Sequence, residues 1–234
     1  MDYLFTPPPQ VALPVAGATA LFPVRRVYCV GRNYADHARE MGADTREPPF
    51  FFSKPADALV PGGGAVAYPP ATTNLQHEVE LVVALGPALA SLGNGGADVP
   101  EARALEAVFG YAVGFDLTRR DHQQRSKEKG HPWDMGKGFD QSGPIGPLVP
   151  VAQCGHPAAG KIWLTVNGET RQSGDLVQMS WMVAEVIAQL SRLVRLAPGD
   201  LIFTGTPAGV STVVRGDVLV GGVDGVGELT ITLV

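Results

Sequence analysis

Residues 77–86 read HEVELVVALG, a run whose last six positions carry no charge and whose first four hold two carboxylates, Glu78 and Glu80. Successive side chains of a strand point to opposite faces, so residues two apart share one face. From Leu81 onward apolar residues occupy both faces, the pattern of a strand covered on both sides. Glu78 and Glu80 then stand side by side at its entrance, while His77 and Val79 face the other way. Like charges that close repel. Either both reach into water, as most isolated Glu-x-Glu pairs do, or a positive charge lies between them.

Working outward, YAVGFDLT at 111–118 is a second buried strand, and it ends at Asp116. PPFFFSKP at 48–55 is a short strand between proline breaks, and KIWLTVNGETRQ at 161–172 is a hairpin turning on Asn-Gly. APGDLIFTGTP, VVRGDVLV and GELTITLV close the chain as strands. One convincing amphipathic helix follows Ser180, with apolar residues at 183, 186, 187, 190, 193 and 194. NYADHAREMG at 33–42 reads as a short helix capped by Asn33, and TRRDHQQRSKEKG at 118–130 as a solvated helix or cover, with Thr118 as its cap and Asp121 completing a capping box. Strands without regular βαβ alternation make neither a Rossmann fold nor a TIM barrel the natural reading; the fold class is mainly β with a few helices (α+β).

The 234 residues are 45% hydrophobic and 18% charged, with 29 Gly and 20 Pro, which describes one turn-rich globular domain. Residues 1–23 form an N-terminal arm whose prolines favour extended chain, ahead of a domain over 24–234. A net charge of −5 argues against a nucleic-acid partner, which needs clustered cations. Cys29 and Cys154 lie far apart without a CxxC spacing, so neither a disulfide framework nor a thiolate zinc site is indicated. A reducing cytoplasm fits that usage. No secretory leader and no run of about 18 apolar residues is present, so the expectation is a soluble protein without a membrane partner.

No phosphate loop, GxGxxG, GxSxG or HExxH occurs. What remains is polar residues at the ends of apolar strands. Glu78, Glu80 and Asp116 converging on one point would make a hard-cation site for Mg²⁺ or Mn²⁺. In GRNYADHARE, His37 and Glu40 are three apart, so on a helix the carboxylate can fix the imidazole tautomer and leave its other nitrogen free to take a proton from water; an ordinary surface pair has the same spacing. In WDMGKGFDQSGPIGP, Lys137 sits between glycines flanked by Met and Phe, consistent with partial burial near carboxylates or equally with a loop lysine reaching into water. FTGTPAGV offers backbone donors and the Thr206 hydroxyl to an anionic ligand. Arg119, Arg120 and Arg125 are candidates for a second anionic group.

In this order and at these separations, GRNYADHAREMG, HEVELVVALG, GFDLTRRD, PWDMGKGFD, IWLTVNGETRQ and GDLIFTGTPAGV resemble the fumarylacetoacetate hydrolase family, and cover nearly the whole chain from about residue 21. The likeness is greatest to the bacterial branch that cleaves fumarylpyruvate, and next to the acylpyruvase and oxaloacetate decarboxylase branch. It implies a mixed β-roll or sandwich, usually a homodimer. It further implies a divalent cation on Glu78, Glu80 and Asp116, with His37 and Glu40 as a water-activating dyad and Lys137 stabilising an enolate. Arg32, Gln123 and Thr206 match positions that contact a small keto-acid substrate. The implied activity is hydrolysis of an acylpyruvate C–C bond in aromatic-compound catabolism; the alternatives are oxaloacetate decarboxylation and metal-dependent binding without turnover. Gly138 departs from the pattern, relatives often having Ser or Ala after the lysine.

Overall fold

A computed structural model of the chain describes residues 2–34 and 47–234. Val79–Leu85 is a strand with every residue buried. It runs antiparallel to Leu201–Phe203 on one side and to Val108–Phe115 on the other. Outward from this centre, Val27–Gly31 and then Phe50–Lys54 extend one edge of an eight-stranded sheet. Gly143–Ile145 and Leu59–Pro61 extend the other, and Val149–Pro150 also pairs with Val108–Phe115. The central strand feeds two cores. Val79, Leu81, Val83 and Leu85 enter the larger cluster with Val113, Phe115 and Ile231, whereas Val82 and Ala84 enter a smaller one with Leu13, Phe22 and Phe203. That division explains why the run is apolar on both faces; each Val or Leu side chain among them contributes about 1.5–3 kcal/mol on burial.

A five-stranded sheet covers the larger core, in the order Glu169–Asp175, Lys161–Val166, Val218–Val223, Gly227–Leu233, Gly64–Val66. The hairpin within it turns on Asn167 and Gly168, both with positive φ (53° and 83°), the paired left-handed conformation that a tight hairpin requires. A three-stranded ribbon of Thr118–Arg119, Leu75–Gln76 and Thr212–Val213 completes the sheets near the site. The helix expected after Ser180 spans Val183–Leu193, with Val183, Val186, Ile187 and Leu190 buried and Leu193 left exposed at its end. The architecture is thus mainly β with few helices. In the proline-rich N-terminal segment, Ala12–Leu13 pairs with Phe22–Pro23 and puts Leu13 and Phe22 into the smaller core. No helix among the described residues is long and apolar enough to cross a membrane.

Candidate active site

The antiparallel register pairs Val79 with Phe115 and Glu80 with Gly114. One step further, the Asp116 amide donates to the Glu78 carbonyl at 2.8 Å, which sets Glu78 opposite Asp116. Glu78 and Glu80 share a face because they are two apart, and Asp116 joins them because it is the cross-strand partner of the first. Carboxylate oxygens of all three lie within 4.8 Å of one another, and all three residues are buried. An all-oxygen, acidic donor set of this spread suits a small hard divalent cation, whose ligands in an octahedral shell stand about 3–4 Å apart.

Three buried carboxylates need compensation. Lys137 Nζ donates to Glu78 Oε2 at 2.7 Å and to Asp116 Oδ2 at 2.6 Å. Arg120 donates to Glu78 Oε1 at 2.5 Å. Lys54 Nζ stands 2.8 Å from Asp116 Oδ1 in an ion pair and also donates to the Lys137 and Leu117 carbonyls. Burial lowers the pKa of Lys137, yet the Asp116 and Glu78 charges outweigh it and hold the ammonium above its ordinary value. Glu80 is different. Burial first, then the Asp116 and Glu78 charges, push its carboxyl well up, against the Gly205 amide that donates to it at 2.7 Å. Gly205 adopts φ +95°, and a Cβ there would meet Asn33 Cβ at 2.8 Å, so the close backbone approach to Glu80 depends on glycine.

Above this floor a cleft is lined by Arg32, Gln123, Lys127, Trp133, Lys137 and Thr206. The structure therefore brings together seven of the nine residues to which the family resemblance gives a role: Glu78, Glu80, Asp116, Lys137, Arg32, Gln123 and Thr206, with Asp116 beneath the others. His37 and Glu40, and the helix expected to carry them, lie outside the described residues. Asn33, expected as that helix's cap, has its amide oxygen on Trp181 N and its amide protons on the Trp181 and Thr204 carbonyls. Arg32 has a left-handed backbone (φ 57°) and a buried Nε without a hydrogen-bond partner among the described residues.

The polar segment forms the helix Arg120–Lys129, and the capping expectation is corrected. Thr118 turns its hydroxyl back to the Asp116 carbonyl, and Asp121 accepts from Thr72 Oγ1 at 2.6 Å and from Thr73 N, tying the helix start to the neighbouring loop. One face is not solvated, because Arg120, Gln123 and Lys127 are spaced three and four apart and all meet the cleft. Of the three arginines considered for a second anionic group, Arg120 faces the site, whereas Arg119 lies over Phe139 and Arg125 bonds the Asp121 carbonyl. Lys127 escaped the sequence reading, although its helical spacing from Gln123 would have shown it. Its ammonium stands 5.3 Å from the Trp133 ring centroid. Burial, then the Arg120 and Arg32 charges, lower its pKa to about 8. Lys54 also escaped; the signal was a cation closing an aromatic strand two residues from Phe52.

The family model described as Fumarylacetoacetate (FAA) hydrolase C-terminal matches residues 26–234. Among curated relatives, a fumarylpyruvate hydrolase of Ralstonia is 44% identical over 187 residues, 80% of this chain and 93% of its own. The mitochondrial oxaloacetate tautomerase FAHD1 of Rattus norvegicus is 43% identical over 202 residues, 86% of this chain and 88% of its own. Among solved structures, fumarylpyruvate hydrolase from Pseudomonas aeruginosa, in complex with Mn²⁺ and pyruvate, superimposes with a TM-score of 0.94 at 54% identity, covering 100% of this chain and 99% of that one.

Proposed function

Since this chain belongs to the fumarylacetoacetate hydrolase family, we propose that it hydrolyses the C–C bond of an acylpyruvate, converting fumarylpyruvate to fumarate and pyruvate. The observation that carries this reading is the buried Glu78, Glu80 and Asp116 set, bridged by Lys137 at the floor of a cleft lined by cations. Glu78, Glu80 and Asp116 would hold the cation, Mn²⁺ or Mg²⁺, which when bound supplies Lewis-acid polarisation of a 2-keto oxygen. Support for Mn²⁺ and for a pyruvate-like ligand comes from the Pseudomonas structure.

The chain's own residues then take the following parts. Arg32, Gln123 and Thr206 bind the keto acid. His37, oriented by Glu40, takes a proton from the water that attacks C4, and the C3–C4 bond breaks with its electron pair passing to C3. Lys137 holds its ammonium where the enolate charge develops, a stabilisation strengthened by exclusion of bulk water. Fumarate departs, and protonation at C3 yields pyruvate. On the same reading residues 24–234 form the catalytic domain behind the 1–23 arm, and the protein works as a cytoplasmic homodimer in aromatic-compound breakdown.

Fumarylpyruvate carries two carboxylates, and the cleft offers Lys127 as a second anion receptor besides Arg32. An adjoining cavity of about 490 Å³, walled by Phe50, Phe52 and Trp133, has room for the unsaturated acyl chain. With its pKa lowered to about 8, Lys127 is charged below that pH and neutral above it. The kcat/KM for fumarylpyruvate should therefore fall as pH rises through about 8, since this parameter reports groups of the free enzyme. Lys127→Arg keeps its charge and should move that alkaline limb upward; a limb that stays in place removes Lys127 from substrate recognition.

The deciding experiment offers metal-stripped protein, reloaded with Mn²⁺ or Mg²⁺, fumarylpyruvate, acetylpyruvate and oxaloacetate, and identifies the products. Fumarate plus pyruvate at the highest rate is expected. The identity to the rat tautomerase favours one second reading, chemistry on oxaloacetate that needs no attacking water. Under that reading His37→Ala would spare oxaloacetate conversion, whereas cleavage of an acylpyruvate should be lost. Ligand binding with no turnover of any of the three would leave a binding protein of the same fold.

A further inference from the structure

Behind Thr206, on the side away from the cleft, lies a buried polar chain that the proposed mechanism does not use. Gln172 and His77 are both fully buried. Gln172 Oε1 accepts from Val79 N at 3.1 Å and contacts His77 Nδ1 at 2.9 Å. Gln172 Nε2 donates to the Pro207 carbonyl and to Thr206 Oγ1, each at 2.8 Å. His77 Nε2 lies 2.9 Å from Ser211 Oγ.

The direction of every bond at Gln172 is fixed. A backbone N–H only donates and a backbone carbonyl only accepts, so flipping the amide would set NH₂ against Val79 N–H and oxygen against the Pro207 carbonyl. With Oε1 as acceptor, His77 Nδ1 carries a proton whatever the charge of the ring. With Nε2 as donor, Thr206 Oγ1 spends a lone pair on Gln172. Its own proton has no acceptor among the described residues, and Thr206 borders the cleft.

From this proton order we infer that Gln172 is a positioning residue: by donating to Thr206 Oγ1 it sets that hydroxyl as a hydrogen-bond donor to an anionic oxygen of the bound keto acid. The inference rests on the keto-acid reading of the cleft. The hydroxyl of an unsupported threonine rotates to suit its surroundings; here one lone pair is occupied and the C–O bond is held, so the proton is aimed before the ligand arrives. Donation from Gln172 also polarises the hydroxyl, which strengthens its bond to an anion. Ser211 and His77 in turn hold the amide of Gln172.

The test measures pyruvate affinity of the Mn²⁺-loaded protein by calorimetry, together with kcat and KM for fumarylpyruvate. It compares wild type, Gln172→Met, Thr206→Val, Thr206→Ser and the Gln172→Met/Thr206→Val double variant. Each of Gln172→Met and Thr206→Val should weaken pyruvate binding roughly tenfold or more, the scale of a hydrogen bond to a charged group. Thr206→Ser, which keeps a hydroxyl, should recover most of the affinity that Thr206→Val loses. The double variant should be no weaker than Thr206→Val alone, because Gln172 acts through the hydroxyl. The double variant also separates lost aim from lost folding, since a folding defect in Gln172→Met would add to the loss of Thr206→Val whereas a lost aim would not. Independent, additive losses in the double variant, or full affinity in Gln172→Met, overturn the inference. Failure of wild type to cleave fumarylpyruvate would overturn the functional reading instead, and the coupling at Thr206 would still be read from pyruvate binding.

Discussion

Replacing Asp116 by asparagine should lower Mn²⁺ affinity by more than about 100-fold, a loss that changes only one shell further from a metal already approach, and should lower turnover of fumarylpyruvate by at least a similar factor. The amide side chain would keep the volume and remove one anionic oxygen from a set of three within 4.8 Å. It would also leave Lys54 and Lys137, both on Asp116 in the native chain, facing one fewer anion. Cation binding then competes with an excess of protein positive charge. Titration calorimetry with Mn²⁺ on chelator-treated protein measures the effect. Native-like Mn²⁺ affinity in this variant would take Asp116 out of the proposed cation site.

Lys137→Met should reduce kcat on the order of 10²–10³-fold, the usual cost of removing one preorganised donor from a developing oxyanion. A second consequence separates this role from packing. Lys137 bonds both Glu78 and Asp116. Without it and without metal, two buried carboxylates lose their shared partner, and the metal-free protein should lose about 3–5 kcal/mol. For a chain of this length that corresponds to a Tm lower by on the order of 10 °C. Lys54 and Arg120 remain beside the same carboxylates and hold the loss toward the lower end. Saturating Mn²⁺ should restore most of the Tm and none of the turnover. Recovery of both with metal would make Lys137 a structural counter-ion rather than a participant in the chemistry.

These expectations draw unequally on sequence and on fold. The Glu-x-Glu at the head of a doubly covered strand was legible because a strand's period of two is strict, and Asp116 because it ended a second apolar strand. What local pattern did not supply was their meeting, which depends on Glu78 falling opposite Asp116 in one register of several available to two apolar strands. Lys137 was legible only as an oddity, since a lysine between glycines becomes a buried bridge only when Glu78 and Asp116 are presented to it. Between a solvated helix and a cover for Arg120–Lys129, local pattern does not choose, because a polar face looks like a solvent face until the cleft is in place; the Thr118 cap fails because its hydroxyl turns back to the Asp116 carbonyl.

By itself, the sequence determined the fold class, the apolar central strands, the Asn-Gly hairpin and the residue types able to hold a hard cation, all set by periodicities of a few residues. Tertiary structure alone decided that cations at 54, 120 and 137, from three separate segments, meet the acidic set, that Lys127 joins Arg32 over it, and that Gln172 stands behind Thr206. Such meetings arise from long-range strand register and from the packing of loops around it, and a charge or a proton's direction is fixed only by the neighbours that surround it in space.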